Sequence, residues 1–175
     1  VDSVMVGDEK VSSTRIRRLL REGMIEKAAR LLGRPYRLLG SVVEGEGRGR
    51  KLGFPTANLA IPPHRLIPQD GVYAVTVRQL MNDNRQGHDS KTGESLGVLS
   101  ISDKPTFDGA SRAVEVHVLD EEADYYGKEL VVSFHRRLRP IRRFANAEEL
   151  QSQVALDIKA TRELFPQYCF CPNDL

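Results

Sequence analysis

Residues 45–58 concentrate backbone freedom, positive charge and oxygen ligands more tightly than any other stretch of the chain. Three cations, Arg48, Arg50 and Lys51, lie among glycines that let backbone N–H groups converge on one concavity, as loops that bind phosphate do. Those glycines are Gly45, Gly47, Gly49 and Gly53. The residue types therefore predict a loop that binds phosphate oxygens.

The end of the same stretch carries two oxygen ligands. Thr56 and Asn58 are two residues apart, so their side chains share a side if the backbone is extended, and Pro55 restricts the chain just before them. Hydroxyl and carboxamide oxygens are ligands that Mg²⁺ accepts. We therefore take Thr56 and Asn58 as candidate magnesium ligands.

Two common glycine-rich motifs do not fit this loop. A Walker A loop needs Gly in place of Arg50 and Ser or Thr in place of Leu52, and the dinucleotide fingerprint fails at the same two positions. Taken alone, the loop could be a basic, flexible hairpin connection.

The chain from Tyr36 onward alternates in the way that β-strands do. The β-branched runs, separated by Gly, Pro, Asn and Asp, are 37–43, 71–78, 95–102, 112–120 and 129–137. Short strands without helices between them predict an antiparallel sheet that closes to hide its edges. We expect a small, mainly β barrel.

Glu115 is the candidate for chemistry on these strands. Alternation places Val114, Val116 and Val118 on one face, so Glu115 and His117 lie on the other. An exposed strand glutamate is most often a solvated or paired residue. Glu115 therefore has no assigned role on this pattern alone.

The run Gly-Arg-Gly-Arg-Lys-Leu-Gly-Phe-Pro-Thr-Ala-Asn resembles the ATP loop of riboflavin kinases, including the kinase half of the bacterial bifunctional riboflavin kinase/FMN adenylyltransferase. The resemblance continues in the family's order at 70–75, 104–107, 114–120, 126–128, 138–139 and in the closing helix, and covers about residues 34–165. It implies a six-stranded antiparallel Greek-key barrel, with its sixth strand near residues 56–61.

The resemblance also implies roles for individual residues. Glu115 falls on the family's catalytic glutamate, which accepts the proton of the ribityl hydroxyl, and Lys51 lies in the loop that holds the ATP phosphates. Thr56 and Asn58 fall on the magnesium ligands. The residues implied to lie near the flavin are Val118, Tyr126 and Arg139. The expected ligands are ATP with Mg²⁺, riboflavin and its product FMN.

The sequence pattern of residues 1–33 predicts two short helices. Ser12 or Ser13 can cap the first and Gly33 ends the second. Ser12-Ser-Thr-Arg-Ile-Arg17 resembles a nucleotide-binding motif of the adenylyltransferase module, so we interpret 1–33 as the tail of that module. Its apolar stripe is then expected to pack on an absent domain and to stay exposed here. The motif is half a site, because the four histidines are isolated and form no His-x-Gly-His signature.

The remainder of the chain completes this division. On this resemblance, residues 34–166 are expected to form the kinase barrel, with a helix capped by Asn146 before Pro166, and 167–175 a tail. The polar segment 81–94 predicts a long hairpin loop containing His88. The only cysteines, Cys169 and Cys171, are too few for a closed zinc site.

Charge and composition argue against two other classes of protein, those that bind nucleic acid and those that span a membrane. The net charge of +2 and the lack of an apolar run near ~20 residues argue against a nucleic-acid footprint and a membrane span. We expect a cytoplasmic monomer.

Two departures from the family pattern leave an alternative open. Ser100-Ile-Ser-Asp-Lys104 stands where Asn-Ile-Gly-x-Arg is usual, and Ile141 replaces a carboxylate. A flavin- and nucleotide-binding module with impaired catalysis is therefore the second hypothesis.

Overall fold

The computed structural model describes residues 5–7, 9–45, 49, 52–80, 93–106, 109–121 and 123–166. Most of the predicted loop 81–94 lies outside the described residues, as do Gly47, Lys51 and the tail with Cys169 and Cys171. Among the helices that are described, none is long and apolar enough to cross a membrane.

Six strands close into an antiparallel barrel. A short ribbon, β1 (Met5–Val6) with β2 (Glu9–Lys10), precedes it. The barrel strands are β3 (Tyr36–Val43), β4 (Ala57–Ala60), β5 (Gly71–Gln79), β6 (Ser95–Thr106), β7 (Gly109–Val118) and β8 (Glu129–Arg139). Their order around the barrel is β3-β4-β7-β6-β5-β8. Because β5, β6 and β7 are neighbours in sequence and β8 returns beside β5, the topology is a Greek key. The predicted six-stranded barrel is confirmed, and β4 is the strand expected near residues 56–61.

Alternation along the strands builds the barrel core. Val114, Val116 and Val118 are at most 6% exposed, as the pattern in β7 predicts. The rings of Tyr73 and Phe134 are fully buried and meet edge to face, with centroids 5.3 Å apart. Burial of aromatic rings supplies much of the stability of so small a core.

Helices α1 (Ser13–Arg21) and α2 (Ile25–Leu32) pack on this barrel. The Ser12 hydroxyl accepts a hydrogen bond from the backbone N–H of Arg15, so Ser12 is the cap of α1, and Gly33 ends α2 in the left-handed conformation. The apolar residues of both helices join the core cluster that contains Leu38 and Phe134. The prediction that this apolar stripe would stay exposed is therefore wrong, because β3 and β8 cover it.

The last helix of the described residues, α3 (Ala147–Leu164), is capped by Asn146 as the capping box predicts. The Asn146 carboxamide accepts from the Glu149 N–H at 2.8 Å, and the Glu149 carboxylate accepts from the Ala145 N–H at 3.0 Å. Thr161 and Phe165, near its end, are buried. The C-terminal part of the helix therefore packs on the barrel, where Phe165 clusters with Ala74 and Leu96.

Candidate active site

A pocket of about 620 Å³ opens where β3, β4 and β7 meet the connection between β7 and β8. This volume suits a ligand of small-molecule size. Its lining comes from the end of β3 and the residues after it, the start of β4, the core side of β7, and residues 121 and 123–126. The lining residues that the sequence had already singled out are Gly45, Thr56, Asn58, Val118 and Tyr126.

A row of four residues crosses the outer face of the barrel beside this pocket. Asn58 of β4 pairs in register with Val43 of β3 on one side and with Glu115 of β7 on the other, and Glu115 pairs with Ser100 of β6. Residues directly opposite in an antiparallel pair have neighbouring side chains on the same face. The predicted base and one predicted magnesium ligand are therefore cross-strand neighbours. Asn58 lines the pocket, whereas Glu115 lies next to that lining and is half-buried.

The glycine at position 45 is required by the position of Asn58. A Cβ added to Gly45 would lie 1.9 Å from Asn58 Nδ2 and 2.5 Å from its Cγ. The carboxamide therefore packs directly on the backbone of the loop. This close approach couples the loop that follows β3 to the candidate metal ligand on β4.

A second glycine, Gly49, is required by the position of the segment that carries Thr56. A Cβ on Gly49 would lie 2.4 Å from the Phe54 carbonyl oxygen and 3.2 Å from Thr56 Oγ1. The Gly49 carbonyl accepts hydrogen bonds from the N–H groups of Leu52 and Phe54, at 3.1 and 2.9 Å. The loop thus turns back on the segment that carries Thr56.

Two side chains from other elements hold the end of the loop. Gln151 of α3 donates from Nε2 to the Leu52 carbonyl at 3.2 Å. His117 Nδ1 lies 2.7 Å from the Pro55 carbonyl oxygen, and the His117 ring meets the Phe54 ring edge to face at 5.8 Å. Because a carbonyl oxygen only accepts, Nδ1 of His117 is the donor.

The far wall of the pocket carries a hydrogen-bond network that the sequence did not point to. The Glu121 carboxylate accepts from the Tyr125 hydroxyl through one oxygen and from the Ser95 hydroxyl through the other. Burial raises the pKa of the Tyr125 phenol, and the bond to the Glu121 carboxylate raises it further, so the hydroxyl stays protonated. The network fixes the wall on which Tyr126, 64% exposed, stands beside the pocket. In the sequence, the neighbouring Tyr-Tyr-Gly-Lys run was the only feature that could have indicated this hydrogen-bond network.

Arg139 is not among the described residues that line the pocket. Its guanidinium binds the carboxylate of Asp157 in α3, with Nη2 to Oδ2 at 2.8 Å and Nε to Oδ1 at 3.0 Å. The two side chains are 17% and 5% exposed. The pair joins the end of β8 to α3, and the flavin contact expected for Arg139 stays a prediction.

The pocket lining carries both carboxylates and neutral oxygens. Glu44, Glu121 and Asp124 place carboxylates on it, and no Lys or Arg occurs among the described lining residues. Thr56 and Asn58 contribute neutral oxygens. No cluster of three or more His, Cys, Asp or Glu side chains that could hold a metal occurs in the described part of the chain. The Thr56 and Asn58 oxygens nevertheless suit Mg²⁺ that keeps its waters and binds phosphate oxygens, since such sites use few protein ligands.

Comparison with known proteins gives the family. The riboflavin kinase family model matches residues 32–165. A bifunctional riboflavin kinase/FMN adenylyltransferase of Listeria monocytogenes is 39% identical over 166 residues, which cover 94% of this chain and 49% of that protein. The chain thus spans about half the length of the curated relatives that it matches. It belongs to the riboflavin kinase family.

Two solved structures are similar in fold. A crystal structure from Streptococcus pneumoniae described as a macrolide-efflux protein has a TM-score of 0.82 and 34% identity, and the match covers 93% of this chain and 50% of that one. Riboflavin kinase from Trypanosoma brucei has a TM-score of 0.52 and 25% identity, with 77% and 83% covered. The second match agrees with the family that the sequence defines.

Proposed function

We propose that this chain transfers the γ-phosphoryl group of ATP to the terminal ribityl hydroxyl of riboflavin and releases FMN and ADP. The observation that carries the proposal is the pairing of Glu115 with Asn58 across two strands, at the edge of a pocket lined by Thr56. A base and two neutral oxygen ligands at one place suit phosphoryl transfer, in which a protein mainly aligns donor and acceptor and stabilises charge. Membership of the riboflavin kinase family supports it.

The chemistry then divides among a few residues. Glu115 takes the proton of the ribityl hydroxyl as that oxygen bonds to the γ-phosphorus and the bond to the ADP oxygen breaks. Thr56 and Asn58 hold Mg²⁺, which supplies charge neutralisation on the phosphate oxygens when it is bound. Val118 and Tyr126 bind the flavin from the pocket side.

The glycine-rich loop holds the nucleotide. Gly45, Gly49 and Gly53 offer backbone N–H groups to the phosphates, and Gly47 and Lys51, outside the described residues, complete the loop. A cation such as Lys51 is needed because the described lining carries carboxylates. We further propose that the protein acts in the cytoplasm as a monomer, with ATP and riboflavin rather than nucleic acid as its partners.

Incubation of the purified chain with riboflavin, ATP and Mg²⁺, followed by chromatography, tests the proposal. We expect FMN to accumulate without FAD, because the chain carries no His-x-Gly-His signature. An absence of FMN would contradict the proposal. Tight riboflavin binding without FMN would favour the impaired binding module, which the position of Ser100 opposite Glu115 makes a specific second candidate.

A further inference from the structure

His117 lies on the face of β7 that carries Glu115, yet its side chain contacts Phe54 and Pro55. Its Nδ1 donates to the Pro55 carbonyl at 2.7 Å, and its ring meets the Phe54 ring edge to face. It is not among the described residues that line the pocket. Nothing in the proposed reaction so far uses this contact.

The backbone ladder between β4 and β7 explains why the contact matters. Ala57 pairs with Val116 and Asn58 with Glu115, and the described pairing ends there. Continuing that register would bring Thr56 opposite His117, but Thr56 lies outside the strand. Pro55 has no N–H to donate, so its own backbone can bond to β7 only through its carbonyl. The His117 side chain makes that bond in place of the ladder.

We propose that His117 is a positioning residue that holds Thr56, and through it Asn58, in the arrangement that binds MgATP. Thr56 is fixed from both sides, by the ladder at Ala57 and by the His117 bond at Pro55. Without the His117–Pro55 hydrogen bond, the Thr56 hydroxyl is no longer held in place. The pocket wall with Val118 and Tyr126 stays unchanged. The proposal rests on the proposed function, because it assigns Thr56 and Asn58 to the nucleotide and its metal.

Two substitutions separate the hydrogen bond from the ring contact. His117→Phe keeps an aromatic ring against Phe54 but removes the donor. His117→Asn removes the ring but retains an N–H donor close to the position of Nδ1. His64→Phe, at an exposed histidine outside the pocket lining, is the matched control for adding a phenylalanine.

Calorimetry with ATP, with and without Mg²⁺, tests the variants, alongside riboflavin binding by fluorescence quenching and the melting temperature. We expect His117→Phe to weaken MgATP binding about three- to tenfold, the range for one lost hydrogen bond. The difference in ATP affinity between the wild type and His117→Phe should vanish when Mg²⁺ is chelated. Riboflavin affinity should not change in His117→Phe. His117→Asn should restore most of the MgATP affinity.

Several results would overturn the inference. One is unchanged MgATP affinity in His117→Phe. Another is a parallel loss of MgATP affinity, riboflavin affinity and melting temperature that His117→Asn does not rescue, which would make the role purely structural. Failure of the proposed function looks different. A wild-type chain that binds MgATP but makes no FMN would reject the reaction, while the calorimetry would still decide the role of His117.

Discussion

Asn58 occupies the space that a side chain on Gly45 would need. The 1.9 Å distance between a Gly45 Cβ and Asn58 Nδ2 means that one of the two must move if position 45 is not glycine. Asn58 is also the register partner of Glu115. A change in the loop after β3 therefore reaches the candidate base through a single intervening residue.

We expect Gly45→Ala to weaken MgATP binding about tenfold or more, because steric overpacking commonly costs about 1–3 kcal/mol and here displaces Asn58, a candidate metal ligand. Calorimetric titration measures the effect. Gly93→Ala is the control, since a Cβ there meets nothing within 4 Å. Equal MgATP affinities in the wild type and Gly45→Ala would show that the Asn58 position does not matter for the nucleotide.

We expect Glu115→Gln to lower turnover by about two orders of magnitude or more, because the amide cannot accept the ribityl proton. Affinities for flavin and nucleotide should stay near wild type, and the melting temperature should hardly change, since the side chain lies opposite the buried valine face of β7. Steady-state kinetics with FMN detection measures the effect.

Glu163→Gln, at an exposed position on α3, is the matched control for the acid-to-amide change in Glu115. Full activity in Glu115→Gln would remove Glu115 from the mechanism. His117 would then be the next candidate, although its Nδ1 already donates to Pro55.

We expect Arg139→Met to lower the free energy of unfolding by about 3 kcal/mol, because it leaves the Asp157 carboxylate nearly buried without its counter-charge. Arg139→Met with Asp157→Leu should recover most of this loss, since no buried charge remains. Denaturant titration measures both. Arg18→Met breaks an exposed pair with Glu22 and should cost less than about 1 kcal/mol.

The same double variant tests the flavin contact expected for Arg139. If the double variant folds and binds riboflavin as tightly as the wild type, Arg139 only joins β8 to α3 and does not contact the flavin. A stable double variant with clearly weaker riboflavin binding would support the contact that the family resemblance implies.

His135 should make stability depend on pH. Burial lowers its pKa below the ordinary 6.5, while Glu94 raises it and Arg37 lowers it by smaller amounts. Its Nε2 lies 3.1 Å from Thr76 Oγ1 and its ring meets Phe165 at 4.7 Å. Below pH 6.5 the unfolded state binds this proton more readily than the folded state. The stabilisation is therefore complete above pH 6.5 and is lost as the pH falls toward the folded pKa.

Denaturant titrations from pH 7 downward check this dependence. The slope below pH 6.5 should flatten in His135→Gln, which cannot titrate, and should persist in His64→Gln at an exposed position. An unchanged slope in His135→Gln would show that another group titrates.

Local patterns were enough to predict the strands and the orientation of Glu115. The alternation of valines in β7 depends only on strand geometry, and the Asn146 cap depends on neighbours three residues away. Contacts between segments that are far apart in sequence could not be predicted from such local patterns. Asn58 packs on Gly45 only after β3 and β4 pair, and the Arg139 guanidinium meets Asp157 only after α3 has docked. The Glu121 and Tyr125 network was missed because charged and aromatic residues in a connection carry no periodic signal.

The apolar faces of α1 and α2 contribute to the same core as the barrel, and the Leu20 carbonyl accepts a hydrogen bond from the Gln69 N–H at 3.0 Å. A polypeptide cut between residues 33 and 34, where the sequence pattern changes, would uncover the faces of β3 and β8 that these helices shield. Such a fragment should expose apolar surface and aggregate. We therefore expect that the chain cannot be divided into independently folding pieces at residue 33, where the sequence pattern changes.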